Sequence, residues 1–322
     1  MDYTQLGRTG VTVSRLVLGT MNFGPETTEA DSFSIMDAAI EHGINFFDTA
    51  NRYGGAGHAG RTEEIVGRWL QQSGKRDEVV LATKVFGQMA DHPNGRGVNA
   101  KHIRRAVEDS LRRLQTDHLD LYQMHHIDRT VPWDELWQAM DQLVTAGKIL
   151  YVGSSNFAGW HLAQACEAAR RRHSLGLVSE QSKYSLLTRD IELEVLPAAQ
   201  AYGVGVITWS PLEGGLLAGA VAKAKEGRRS AQRNQDRLSE LKPQLTRWEK
   251  LCKDLGHNPG DVALAWQLTR EGVTGPIIGP RTMEQLDGAV RALKIRLTKD
   301  VLAQIDEIFP GPGGPAPEAY AW

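Results

Sequence analysis

Short apolar runs alternate with longer segments of helical spacing along the chain. The runs are rich in Val, Ile, Leu and Phe: SRLVLGT, INFFDTA, VVLATK, LDLYQMHH, ILYVGSS, GLVSEQ, GVGVITWS and GPIIG. They read as strands. Between them HIRRAVEDSLRRL, WDELWQAMDQLV, WHLAQACEAARRR and VALAWQL space their apolar residues as a helix with one buried face does. Alternation of this kind predicts parallel strands joined by crossover helices. Eight units spread over residues 1–322, with no Pro/Ser-rich linker, predict a single domain, a closed (β/α)8 TIM barrel rather than an open doubly wound sheet.

Two segments depart from this spacing. YTQLGRTGVTV, ahead of the first barrel strand, reads as a β-hairpin with a Gly-containing turn that caps the barrel's bottom. Between ITWSPL and DVALAWQL lies an insertion with the charged run KAKEGRRSAQRNQDR and a helix-like QLTRWEKLCKDLG. It follows the seventh strand, where barrel loops build the site. The tail FPGPGGPAPEAYAW has too much Pro and Gly for a helix, and its Tyr320 and Trp322 either fold over the barrel mouth or fray.

Composition narrows the function classes. The 41% apolar content of 322 residues can build a full core. A net charge of -2 with 24% charged residues leaves no global basic field to hold nucleic acid or an anionic membrane. No run approaches the ~18 apolar residues of a membrane span, and MDYTQLGRTG has no apolar signal region, so a cytoplasmic protein is expected. Cys166 and Cys252 lie in helix-like, mostly polar segments without CxxC or HxxxH partners, so neither a disulfide framework nor a metal site is expected. Small molecules or other protein subunits, further copies of the chain included, remain as partners.

FFDTANRYGGAGHAGRTEE contains a GxGxxG run from Gly55 to Gly60. A dinucleotide fingerprint needs its first Gly at the turn that ends a strand and an acid at the end of the next strand. Here the strand ends at Asp48 or Thr49, well before Gly55, and the next strand, VVLATK, ends in Lys84. The run therefore reads as a flexible loop leading to a helix that starts at Arg61-Thr62-Glu63-Glu64.

In a barrel, residues at the C-terminal ends of strands share one face. Asp48, Lys84 and His125 stand at the ends of the second, third and fourth strands, and Tyr53 lies in the second loop. Asp48 and Lys84 should keep each other charged, and a nearby ammonium should lower the Tyr53 pKa from about 10, suiting it to proton transfer. Each residue alone also fits a structural role, as a cap, a snorkelling lysine or a core histidine. His126 competes with His125, since alternation turns only one of the pair inward and spacing does not say which. Further round, Ser154-Ser155-Asn156 and Glu180-Gln181 suit an uncharged polar ligand such as a carboxamide, Trp209 can stack on a flat ring, and Arg281 stands at a helix start where these barrels often bind phosphate.

The motifs GINFFDTANRYG, LATKV, LDLYQMHHID, VGSSNF, TWSPL and IIGPRT, in this order and spacing, resemble those of the aldo-keto reductases over nearly the whole chain. The resemblance implies a barrel that binds NADPH and reduces an aldehyde or ketone to an alcohol. Tyr53 would be the proton donor, Lys84 the group lowering its pKa, Asp48 the partner of Lys84, and His125, the first of the histidine pair, the residue orienting the carbonyl. It further implies that Ser155, Asn156 and Gln181 hold the carboxamide, that Trp209 stacks on the nicotinamide, and that Ser210, Leu212 and Gly214 wrap the pyrophosphate. Arg281 and Gln285 would meet the adenosine phosphate, with Gly19, Thr20, Met21 and Gly279 among the cofactor contacts. Met21, Phe23, Phe86, His126 and the tail aromatics would line the substrate mouth. Two positions depart from the pattern: after GLLAG, Ala220 stands where a phosphate-side lysine is usual, leaving Lys223 or Lys225 as the substitute, and Ala289 stands where relatives carry Asn.

The chain is also similar to the potassium-channel β subunits, which act mainly as partners and generally lack the histidine present here as His125. Bacterial nucleotide-sugar ketoreductases resemble it too, so simple aldehydes and keto-sugars are equally open as substrates. A Schiff-base aldolase using Lys84 as nucleophile is a third reading, opposed by Asp48, which stabilises the ammonium.

Overall fold

A computed structural model of the chain describes residues 1–222 and 232–317. All eight apolar runs form strands. β3 (Val17–Gly19), β4 (Phe46–Asp48), β5 (Val80–Val85), β6 (Leu119–Met124), β7 (Ile149–Ser155), β8 (Leu177–Lys183), β9 (Gly205–Trp209) and β10 (Val273–Ile278) pair in parallel in sequence order. β10 closes on β3, making the barrel complete. The predicted TIM barrel is therefore the observed fold.

Helices alternate with these strands: α1 (Glu29–Glu41), α2 (Arg61–Ser73), α3 (Ala100–Leu114), α4 (Trp133–Thr145), α5 (Gly159–Arg171), α6 (Val195–Tyr202), α7 (Gln232–Asp254), α8 (Pro259–Leu268), α9 (Met283–Ala292) and α10 (Lys299–Ile308). α3 shows how the sequence sets such an element. The Asn99 side chain caps it by accepting from His102 N at 2.9 Å, Ile103, Val107, Leu111 and Leu114 form its buried stripe, and Arg112 and Arg113 meet the negative end of its dipole.

The hairpin β1 (Tyr3–Gln5) and β2 (Thr12–Ser14) pairs antiparallel, Thr4 opposite Val13. Its Leu6 and Val13 pack into the barrel's interior with Val17, Phe46, Ala82, Leu121, Val178 and Ile207. The expected bottom cap is thus a plug. A second, larger apolar layer fills the space between strands and helices.

Alternation along the strands carries the lumen from apolar to polar in one step. Two residues beyond Phe46, Ala82, Leu121 and Ile207 stand Asp48, Lys84, Gln123 and Trp209. β8 breaks the alternation. Its pairing with β7 shifts register between Val152 and Gly153, so that Leu177 and Ser179 oppose consecutive residues and Val178 is the extra one. Val178 joins the inner core, while beyond the bulge Gln181 faces inward and Glu180 faces out.

The insertion after the seventh barrel strand returns over the β9 loop. Arg237 of α7 pairs with Glu213 at 2.9 Å, Trp248 Nε1 donates to Leu217 O at 3.1 Å, and Val221 N donates to Glu249 at 2.7 Å. Lys223 and Lys225, with much of the charged run, lie outside the described residues, as do Tyr320 and Trp322. The described part of the tail is irregular and runs back to the β8 loop, where Ala316 N donates to Leu193 O at 2.7 Å. No described helix is long and apolar enough to cross a membrane.

Candidate active site

Lys84 is fully buried, and each of its ammonium protons has an acceptor: Asp48 Oδ2 at 2.6 Å, Thr49 O at 2.9 Å and Tyr53 Oη at 3.2 Å. An ammonium only donates. Tyr53 Oη therefore accepts from Lys84, and its own proton points elsewhere; no described residue takes it. The other oxygen of Asp48 accepts from Gln123 Nε2 at 3.0 Å and Gln181 Nε2 at 2.9 Å. Five side chains from four strands and one loop are thereby one network, and the carboxylate is satisfied on both oxygens.

Burial opposes the charge on Lys84, but Asp48 and Tyr53 together outweigh it and leave its pKa raised. The lysine stays an ammonium, a poor nucleophile for Schiff-base chemistry. Tyr53 corrects the sequence expectation. Burial raises its pKa, and the opposing pull of Lys84 does not overcome that, so the phenol keeps its proton instead of approaching a phenolate. At His125 burial, Lys84 and His126 all act against the cation and push its pKa down to about 3. The imidazole beside Tyr53 is neutral, its ring edge-on to the phenol with centroids 5.9 Å apart.

The two histidines also correct an expectation. β6 ends at Met124, so strict alternation no longer governs them, and their rings stack 5.4 Å apart at 12°. His126 continues to Phe86, again edge-on at 5.4 Å. Tyr53, His125, His126 and Phe86 thus form one row of rings in which His126 is exposed and Phe86 rests against the core, and Met21 is 45% exposed. Phe23 is not at this surface: it is fully buried in the layer between strands and helices, because the chain turns back at Gly24 and directs its ring inward.

The loop that presents Tyr53 depends on the glycines of the GxGxxG run. Tyr53 O accepts from Gly60 N at 3.0 Å, which closes the loop onto the start of α2. Just before the run, Gly54 has φ of 143°, and a Cβ there would lie 1.9 Å from His58 O. These glycines position the tyrosine by allowing a tight turn.

A second group sits opposite. Trp209 Nε1 donates to Asn156 Oδ1 at 3.0 Å, and Asn156 Nδ2 donates to His125 O at 3.1 Å and Ser155 Oγ at 3.0 Å. Ser155 Oγ donates to Gln181 O at 2.8 Å. Asn156 and Ser210 both adopt left-handed φ, 59° and 54°, a conformation rare outside glycine. Leu212 and Gly214 follow in a short turn, where Gly215 N donates to Leu212 O at 2.8 Å. Glu213 in this turn is buried, yet ion pairs from Lys183 at 2.7 Å and Arg237 keep its pKa lowered against that burial.

Arg281, Gln285 and Gly279 form a third group beyond β10. Gln285 Oε1 accepts from Arg281 N at 2.8 Å, and Gly279 O accepts from Asn22 at 2.7 Å. Gly19 and Thr20 are buried beneath, with the Thr20 hydroxyl donating to Asp48 O at 3.0 Å. Ala220 and Ala289 are both buried. Gln123 is the site residue that the strand-end reasoning missed, because it lies within β6. Its signal was available: an amide two residues before His125, on the inward face.

The sequence profile of the aldo/keto reductase family matches residues 15–309. Over 327 residues, covering all of both chains, the protein is 55% identical to uncharacterized oxidoreductase YrpG of Bacillus subtilis. It is 33% identical to norsolorinic acid reductase stcV of Emericella nidulans, over 94% of this chain and 79% of that one. A probable voltage-gated potassium channel subunit beta of Oryza sativa is 31% identical, over 96% of each chain. With its closed barrel and this coverage, the chain belongs to the aldo/keto reductase family of oxidoreductases.

Proposed function

We propose that the chain is an NADPH-dependent reductase of aldehydes or ketones in which Tyr53 donates the proton to the carbonyl oxygen. The observation that carries this reading is the full use of the Lys84 ammonium, which leaves the Tyr53 proton as the unspent donor at the barrel mouth. Its raised pKa keeps that proton in place until an oxygen with developing negative charge is near. As the proton leaves, the phenolate that forms is stabilised by the ammonium 3.2 Å away. Neutral His125 can donate one N–H to the same carbonyl, orienting it without adding a competing acid.

The residues fit a nicotinamide dinucleotide. Asn156, Ser155 and Gln181 offer amide and hydroxyl groups matched to a carboxamide, Trp209 offers a ring for stacking, and the Ser210–Gly214 turn offers backbone N–H groups to a pyrophosphate. Arg281 has a buried Nη2 without a partner among the described residues, a donor suited to the adenosine phosphate, as Gln285 is beside it. When bound, the reduced nicotinamide supplies the hydride for the carbonyl carbon. The row Phe86, His126, His125 suits carbonyls with a flat or ring-shaped body, so aromatic ketones and keto-sugars belong in the substrate panel beside simple aldehydes. A role as an accessory subunit without chemistry of its own would not require the neutral histidine beside the phenol.

The test is oxidation of NADPH against this panel, with NADH as control. Tyr53→Phe is expected to lower kcat by about 10²–10⁴-fold while NADPH binding, followed by fluorescence, is retained. Unchanged turnover in that variant would overturn the assignment.

A further inference from the structure

The loops that leave β3 and β10 are fastened to each other above the barrel. Asn22 Nδ2 donates to Gly279 O at 2.7 Å, and Asn22 O in turn accepts from the backbone N–H groups of Glu26 and Thr27, both at 3.0 Å. This turn fixes a carboxylate beside a guanidinium: Glu26 Oε2 lies 3.2 Å from Arg281 Nη1. The two partners differ in surroundings. The Arg281 side chain is 22% exposed and that of Glu26 48% exposed, and Arg281 Nη2 is buried with no partner among the described residues. The guanidinium thus has one nitrogen occupied by a water-accessible acid and another unspent.

We infer that Glu26 is a coenzyme-selectivity residue. Its carboxylate competes with the 2′-phosphate of the dinucleotide for Arg281 and repels that phosphate. It thereby narrows the preference for NADPH over NADH that Arg281 alone would set. The inference rests on the reading of Arg281 as the contact for the adenosine phosphate. An ion pair whose acid is open to water is weak, so a dianionic phosphate can displace it, but the acid is tethered and stays within a few ångströms. In dinucleotide sites generally, an acid near the ribose favours the free hydroxyl and an arginine favours the phosphate. This chain holds both, paired with each other.

Binding of NADPH, NADH, 2′,5′-ADP and ADP to the full-length protein, measured by calorimetry, tests the proposal. Glu26→Gln keeps the shape and an oxygen that can accept from Arg281 but removes the charge. It is expected to tighten NADPH and 2′,5′-ADP by roughly three- to tenfold, the effect of removing one like charge at a solvated site, and to leave NADH and ADP unchanged. Arg281→Met should weaken only the two phosphorylated ligands. If Arg281→Met shifts the NADPH-to-NADH ratio and Glu26→Gln does not, or moves both coenzymes equally, the role of Glu26 is overturned. If Arg281→Met leaves the ratio unchanged, the phosphate contact itself is wrong and the proposal falls with it.

Discussion

At Tyr53 two electrostatic effects pull in opposite directions, and the structure shows which is larger. Burial favours the neutral phenol and the ammonium of Lys84 favours the phenolate; burial prevails. Glu180 is another residue whose charge state is set by burial. It faces outward from β8, where Ser154, Ser182 at 2.8 Å and Phe157 N at 3.1 Å all donate to it, yet desolvation still raises its pKa to about 7. Its folded pKa lies above the unfolded value, so between pH 4.5 and 7 the fold holds a proton that the unfolded chain has released. Stability should decline as pH rises through that window. The unfolding free energy of the wild type minus that of Glu180→Gln, from urea titrations, is expected to fall by about 1.4 kcal/mol per pH unit there and to level off above it. A difference independent of pH would mean that the carboxylate is ionised in the fold throughout. His125 acts in the reverse sense: its folded pKa of about 3 lies below the unfolded 6.5, so acid favours the unfolded chain.

Among the elements, the loop between β4 and α2 does the most with the least regular structure. Its GxGxxG run looks like a phosphate loop and serves as a support for Tyr53. Gly54→Ala would drive a Cβ into His58 O at a backbone angle that alanine resists. It is expected to lower kcat on the order of 10²-fold by displacing the phenol, with a smaller loss of thermal stability than a core truncation causes. Wild-type kcat in that variant, measured on the best substrate of the panel, would show that the loop does not set the tyrosine's position. The bulge in β8 is a second such device, since unbroken alternation from the inward Val178 would turn Glu180 and not Gln181 toward Asp48.

For the whole molecule, the barrel separates stability from chemistry along its axis. The hairpin plugs the lower end with Leu6 and Val13, while the polar residues of the candidate site occupy the upper end. Leu6→Ala should cost about 2–5 kcal/mol in urea unfolding and leave kcat unaltered under conditions where the protein remains folded. A parallel loss of kcat would mean that the plug and the mouth are coupled.

How much of this was legible in the sequence depended on whether the signal was local. Eight apolar runs with helical segments between them determined the barrel, and strand ends brought Asp48, Lys84 and His125 forward as candidates, because alternation and parallel closure bring such positions to one face. Gln123 was hidden inside a run read only for its end. The sign of the Tyr53 shift, the stacking of His125 on His126, the burial of Phe23 and the inward turn of Gln181 were decided by tertiary structure. Each depends on desolvation, strand register or chain direction, which arise only when distant segments pack. The meeting of Glu26 with Arg281 is of the same kind: two charges from opposite ends of the chain become neighbours because β10 closes on β3.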